Sequence, residues 1–242
     1  MVQVALNGTR SRFDHPAIPI TSAQQATEAR ASVAAGADAI HVHVRDRHGN
    51  ESLAAADVDR TIAAIRVSCP DTPIGVGTGA WIIPDLQKRL AAIRSWSTLP
   101  DFASVNLHEA GAADVIELLL ARGIGVEAGI WNAPAAVSLL RSGLADRCLR
   151  ILLEPAEASC SARVNLTQME DVLIGVARPK LLHGLGHCAW HLVELAARRR
   201  YDTRTGFEDT LKLPDGSLAS SNAELVTAAR RLVERTINGE AG

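Results

Sequence analysis

The chain has 242 residues, 47% of them hydrophobic and 21% charged, with a formal net charge of −2. That composition supports a sizeable core and excludes an intrinsically disordered chain. The near-neutral balance argues against a nucleic-acid partner or an anionic membrane surface. The length suits one large domain over residues 1–242, as an α/β barrel would fill it. No apolar run is long enough to span a bilayer, and Met1-Val2-Gln3-Val4-Ala5-Leu6 carries neither a basic region nor a cleavage-like site, so a secreted protein is not expected. Cys69, Cys148, Cys160 and Cys188 are scattered without a Cys-x-x-Cys pair, as suits reduced thiols in the cytoplasm.

Short apolar runs alternate with longer helical patterns along the chain. Strands are expected at 2–7, 39–44, 74–78, 102–106, 125–130, 149–154, 180–183 and 203–207. Helices are expected at 23–35, 54–67, 85–95, 112–121, 134–140, 167–177, 189–199 and 222–235. Thr21-Ser22-Ala23-Gln24 and Ser221-Asn222-Ala223-Glu224 read as capping boxes, in which a hydroxyl and an amide or carboxylate satisfy the first helical amides. Gly36, Gly123 and Gly143 each follow a helical pattern, as a left-handed cap requires. Eight β-then-α units predict a closed parallel (β/α)8 TIM barrel. The alternative, an open doubly wound sheet, is weakened because no Gly-x-Gly-x-x-Gly follows the first strand.

In such barrels the chemistry sits at the C-terminal ends of the strands. The polar residues there are Asn7, His41, His43, Thr78, Asn106, Glu127, Glu154, His183 and Glu208. Within Ile40-His41-Val42-His43-Val44-Arg45-Asp46, alternation places both imidazoles on one face. Two such imidazoles can hold a metal, and zinc is the usual choice when a carboxylate completes the set and one position stays open. By the same alternation, Arg204 and Glu208 of Thr203-Arg204-Thr205-Gly206-Phe207-Glu208 share a face. Glu208 can complete a His₂Glu site, or pair with Arg204 with no metal involved. Asp209 is placed to act as a general base or to orient a ligand.

Three further features have competing readings. Gly184-Leu185-Gly186 suits either a phosphate cradle or a tight turn. His183, His187 and His191 suit capping and helix-surface roles better than a second metal. Trp81 and Trp131 line a pocket or pack in the core.

His41-Val42-His43-Val44-Arg45-Asp46 followed by Gly49, together with Arg204-Thr205-Gly206-Phe207-Glu208-Asp209 and Ser221-Asn222-Ala223-Glu224, resembles the signature of the β-keto acid cleavage enzymes, the family typified by 3-keto-5-aminohexanoate cleavage enzyme. Leu6-Asn7-Gly8, Pro19-Ile20-Thr21 and Ala35-Gly36-Ala37 fit as well, so the likeness runs over nearly the whole chain. The resemblance implies a (β/α)8 barrel, a zinc ion, and an exchange in which a β-keto acid and acetyl-CoA give acetoacetate and a new acyl-CoA. It implies His41, His43 and Glu208 as zinc ligands, Asp209 and Arg204 as the catalytic acid–base and its cationic neighbour, and Ser104 as a substrate contact. Arg10, Thr78, Asn106 and Glu127 are the further substrate-binding candidates, Gly184 and Gly186 those for the CoA phosphates, and a homo-oligomer is expected.

The chain departs from the family pattern at four places. Arg10 stands where the prototype has an acid, Gly77 replaces a Ser, Gly129 replaces the second Glu of a Glu-x-Glu, and His187 stands where Arg is usual. Loss of two acids suited to an ammonium group predicts a substrate whose distal end is neutral or anionic, with Glu154 a possible substitute negative charge. The competing functions are a zinc hydrolase of the barrel type and a zinc-binding barrel without turnover.

Overall fold

A computed structural model describes residues 1–155 and 161–239. Eight parallel strands close into a barrel: β1 (Val2–Ala5), β2 (Ala39–Val42), β3 (Ile74–Gly77), β4 (Phe102–Asn106), β5 (Gly125–Ile130), β6 (Arg150–Leu153), β7 (Lys180–Leu182) and β8 (Asp202–Thr205). Closure is made by β1 beside β8, with Val2 opposite Thr203 and Val4 opposite Thr205. The helices alternate with the strands as α1 (Ser22–Ala34), α2 (Ala55–Ser68), α3 (Leu86–Arg94), α4 (Ala112–Ala121), α5 (Ala133–Ser142), α6 (Ser161–Val172), α7 (Ala189–Arg198) and α8 (Asn222–Ile237). The expected (β/α)8 barrel is therefore the fold.

The two faces of each strand explain the two cores. Outward residues such as Ile40, Val42, Val126, Ala128 and Ile151 join the helices' apolar stripes in one continuous buried cluster. Inward residues fill the barrel in layers. On β4 these are Phe102, Ser104 and Asn106, deepest first. Phe102 lies across Gly75 of β3, where any side chain would overlap its ring. Arg150 of β6 lies over that ring, 5.7 Å from its centroid. The bottom of the barrel is thus closed by an aromatic ring and a polar knot. Gln3 Nε2 donates to Glu127 Oε1 at 2.7 Å, and Arg150 Nε lies 3.3 Å from the same oxygen. The Met1 amine pairs with Asp202 at 2.9 Å.

Several boundaries differ from the sequence pattern. β1, β2 and β8 stop short of 7, 44 and 207 because the chain leaves the ladder there to build the mouth. α6 begins at Ser161 rather than 167, since its first turn has no apolar stripe to announce it. Thr21 and Gln24 form the full capping box of α1. At α8 only half of the expected box forms: Ser221 caps the Glu224 amide, while the Glu224 carboxylate binds Ser220 instead. Gly143 closes α5 in the left-handed region at φ 69°. Cys69 and Cys148 are buried and, with Cys188, carry free thiols; Cys160 lies outside the described residues. Among the described residues no helix is long and apolar enough to cross a membrane.

Candidate metal centre and active site

His41 of β2, His43 just beyond that strand and Glu208 converge at the barrel mouth. Their ligand atoms lie within 4.8 Å of one another, and this is the one His/Cys/Asp/Glu group with metal-ligand spacing among the described residues. His41 Nε2 is 3.6 Å from Glu208 Oε2, and His43 Nε2 is 3.5 Å from Glu208 Oε1. Ligands about 2.0–2.1 Å from a tetrahedral zinc stand roughly 3.3 Å apart; each imidazole is near that spacing from one Glu208 oxygen, and the set as a whole, within 4.8 Å, must draw together to hold the ion. Glu208 Oε2 and His41 Nδ1 are buried without a hydrogen-bond partner. An orphaned carboxylate oxygen in such a place is costly unless a cation takes it.

The loops around the ligands fix them. His43 donates its backbone N–H to Asn7 Oδ1 at 3.0 Å, and its carbonyl accepts from Asn7 Nδ2 at 2.9 Å and from Gln25 Nε2 at 3.0 Å. Gly8, at φ +55°, lies flat against the Glu208 side chain, where a β-carbon would fall 2.9 Å from the Glu208 Cβ and closer to its Cγ. Arg45, buried, donates to the carbonyls of Gly8 and Arg10 and so braces this first loop.

Behind the ligands lies a charged chain. Arg204 grips Asp209 through Nε at 3.1 Å and Nη2 at 2.6 Å, and gives Nη2 also to Glu208 Oε1 at 3.0 Å. The Arg204–Glu208 ion pair and the ligand triad thus coexist. His183, fully buried after β7, sits between Asp209 Oδ1 at 3.4 Å and Glu154 Oε2 at 3.3 Å. Burial and Arg204 oppose its charge, but Asp209 and Glu154 prevail and raise its pKa to about 9. Burial dominates at His41 and lowers its pKa to about 3, which keeps the imidazole neutral. At His43 burial is outweighed by Glu208 and Glu51, and the pKa rises to about 9. Burial disfavours the charged forms of Glu208 and Asp209, yet Arg204 and the histidines hold both carboxyls below the usual carboxylate range.

A cavity of about 160 Å³ opens onto the triad. Ser104 and Asn106 line it on one side, Glu154 and Arg204 on the other, with Trp81, Trp131, Leu152 and Leu185 supplying apolar wall. Other sequence candidates fall elsewhere. Thr78 is buried and donates to the Ser104 carbonyl at 2.6 Å, outside the lining. Glu127 sits in the lower layer against Gln3 and Arg150, also outside it. Arg10 and Gly186 line a neighbouring crevice with His187, Trp190 and Lys212. The Gly186 amide donates to the Asp209 carbonyl at 2.7 Å, and a side chain at Gly184 would strike Leu192 of α7. The three-histidine ladder does not converge. His183 is in the barrel, His187 in a one-turn 3-10 helix at Gly186–Cys188, and His191 on α7.

Sequence reasoning missed Glu51. The Arg45–Glu51 bridge folds the chain back over β2 and brings Glu51 to 2.5 Å from His43 Nδ1. The signal was the turn itself: Asp46 Oδ1 accepts from His48 N at 2.8 Å and Asn50 N at 2.9 Å, and Gly49 takes φ +87°.

Fold and site together define a (β/α)8 barrel with a candidate His₂Glu metal centre at its C-terminal mouth. The chain belongs to the beta-keto acid cleavage enzyme family, whose model matches residues 1–154 and 156–238. It is 26% identical to a 3-keto-5-aminohexanoate cleavage enzyme of Fusobacterium nucleatum, covering 97% of this chain and 91% of that one. It is 27% identical to a 3-oxoadipate:acetyl-CoA acetyltransferase of Cupriavidus necator, covering 97% and 88%. Among solved structures, the ternary complex of ObcA with a C4-CoA adduct and oxalate superposes with a TM-score of 0.71 at 17% identity, over 93% of this chain. The present chain spans 65% of that protein's length, and the likeness is one of fold.

Proposed function

We propose that this protein is a zinc-dependent β-keto acid cleavage enzyme that exchanges the acyl part of a β-keto acid with acetyl-CoA. The CH2–COO⁻ unit of R–CO–CH2–COO⁻ passes to the acetyl group, giving acetoacetate, and R–CO joins the CoA sulfur. The observation that carries this reading is the converged triad of His41, His43 and Glu208 facing a polar-and-apolar cavity. When bound, zinc supplies a Lewis acid for the ketone oxygen and for the enolate that departs. Arg204, lining the cavity, offers its guanidinium to the substrate carboxylate or to the developing oxyanion. Asp209, kept ionised by Arg204, takes the acid–base role, and the Asp209–His183–Glu154 chain links it to the cavity wall. Ser104 and Asn106 orient the keto acid. The crevice of Arg10, His187 and Lys212 beside the mouth is suited to the CoA phosphates.

The substrate's distal end is neutral or anionic. A β-carbon at Gly129 would lie 2.8 Å from Asn106 Oδ1, so no acidic side chain fits there while Asn106 keeps its place. Glu154 faces the cavity with its charge opposed by His183. Among the described residues, an ammonium group brought into this site finds no free carboxylate, and its desolvation costs several kcal/mol. The test is kcat/KM on matched β-keto acids with amino, methyl and carboxylate ends, using zinc-loaded protein. Methyl or carboxylate substrates are expected to lead; preference for the amino substrate overturns the assignment of substrate charge.

A further inference from the structure

The Glu51 carboxylate spans two functional groups that come from different loops. One oxygen lies 2.5 Å from His43 Nδ1. The other accepts from the Trp81 indole N–H at 3.0 Å. Trp81 in turn stacks on the His43 ring, with centroids 6.2 Å apart and planes 18° from parallel, and forms part of the cavity wall. Glu51, His43 and Trp81 therefore make a closed triangle.

Each side of this triangle has a physical consequence. A carboxylate only accepts, so the 2.5 Å contact requires the proton on Nδ1, which leaves the His43 Nε2 lone pair for a metal. The Glu51 side chain is 12% exposed, and a carboxylate so far from water needs both of its donors. Trp81 is 47% exposed and reaches the wall from the loop after β3. Gly79 makes room for it, since any side chain there would overlap the indole ring. The indole N–H is the ring's one hydrogen-bond donor, and it goes to Glu51, so that bond fixes where the ring stands.

We infer that Glu51 is a positioning residue that sets the metal-binding face of His43 and, with its second oxygen, holds Trp81 in place as the wall of the substrate cavity. Metal affinity and cavity shape are thereby tied to one side chain in the second βα loop. The inference rests on the metal assignment above but not on the reaction proposed for the site.

The test uses the full-length protein, with Glu51→Gln, Glu51→Ala and Trp81→Phe. Zinc affinity is read by competition with a chromophoric chelator, thermal stability with and without zinc, and the emission of Trp81 by difference from Trp81→Phe. Both Glu51 variants are expected to bind zinc 10–100-fold more weakly than wild type, as the loss of an orienting partner does. The stabilisation that zinc confers should shrink by about 1.4–2.8 kcal/mol, which is that fold-change converted at 1.4 kcal/mol per decade. The zinc-free melting temperature should fall as well, more in Glu51→Ala than in Glu51→Gln, because His43 and Trp81 lose their carboxylate partner; a role confined to packing would lower it with zinc affinity unchanged. Trp81 emission should shift red in Glu51→Ala, while Trp81→Phe keeps zinc affinity within threefold. If wild type binds zinc tightly and Glu51→Gln binds it equally well, the inference fails and the metal assignment stands. If wild type itself binds no zinc, the metal assignment fails and the inference with it.

Discussion

Gly8→Ala tests whether the first loop is shaped by the Glu208 side chain. Gly8 sits at φ +55°, where a residue with a β-carbon costs about 1–2 kcal/mol. The new methyl would also lie 2.9 Å from Glu208 Cβ and 3.1 Å from Cδ, against an ordinary carbon–carbon contact of about 3.5–4.0 Å. Glu208 must therefore retreat by roughly 0.6 Å or more, some three times the ~0.2 Å tolerance of a metal–ligand distance. Gly143→Ala is the matched control. It has the same backbone strain, at φ +69°, but nothing within 4 Å of the added carbon. In zinc-free urea unfolding Gly143→Ala should lose about 1–2 kcal/mol, a melting shift of about 2–8 °C for a chain this size, and Gly8→Ala at least as much, since its methyl also crowds Glu208. Only Gly8→Ala should weaken zinc, and by more than the 10–100-fold that outer-shell partners cost. Equal zinc affinity in the two variants, by chelator competition, refutes the reasoning that Gly8 leaves room for a ligand.

Asp209→Asn should retain zinc by elemental analysis while losing most of its kcat, because Asp209 faces Arg204 and His183 rather than the ligand atoms; undiminished kcat removes it from the mechanism. Zinc affinity should depend on pH through His43. Its pKa without metal is raised to about 9, so below that pH each zinc displaces one proton, and affinity should fall about tenfold per unit from pH 9 to pH 6 and level off above 9. His41, lowered to about 3, adds nothing in this window, and a flat profile contradicts the assignment. His183 should stabilise the fold. Its folded pKa, about 9, lies above the unfolded value of about 6.5, so the contribution is complete below pH 6.5 and lost as pH rises through 9. The stability gap between wild type and His183→Gln, from urea unfolding of zinc-loaded protein, should be large at pH 6 and small at pH 9.5; a constant gap refutes it.

The barrel was legible because its strands announce themselves by β-branched runs and its helices by caps and period. The metal triad was within reach of the sequence for a related reason. His41 lies on β2 and His43 follows it, so alternation points to that pair, but Glu208 lies in the turn after β8 ends at Thr205, where alternation no longer governs and only the motif pointed to it. Depth along the axis is not visible in a sequence. Glu127 and Ser104 pair in register across β5 and β4, yet Ser104 faces the cavity while Glu127 turns to Gln3 and Arg150 below it. Loop residues were least legible. The Arg10 backbone is held by Arg45, and its guanidinium Nε reaches the Glu208 carbonyl at 3.4 Å beside a different crevice. Glu51 enters the site only because a five-residue turn doubles back, which no periodicity encodes.

The most direct measurement of the central claim follows the fate of acetyl-CoA labelled in its acetyl carbonyl. The label is incubated with zinc-loaded protein and a panel of β-keto acids, and the products are read by mass spectrometry and NMR. The account predicts label at the keto carbon of acetoacetate, an unlabelled acyl-CoA in equal amount built from the keto acid's own chain, and loss of both products after chelation. Label recovered as free acetate would mean hydrolysis, and label left in acetyl-CoA with every keto acid would mean a zinc-binding barrel without this turnover; either result contradicts the account.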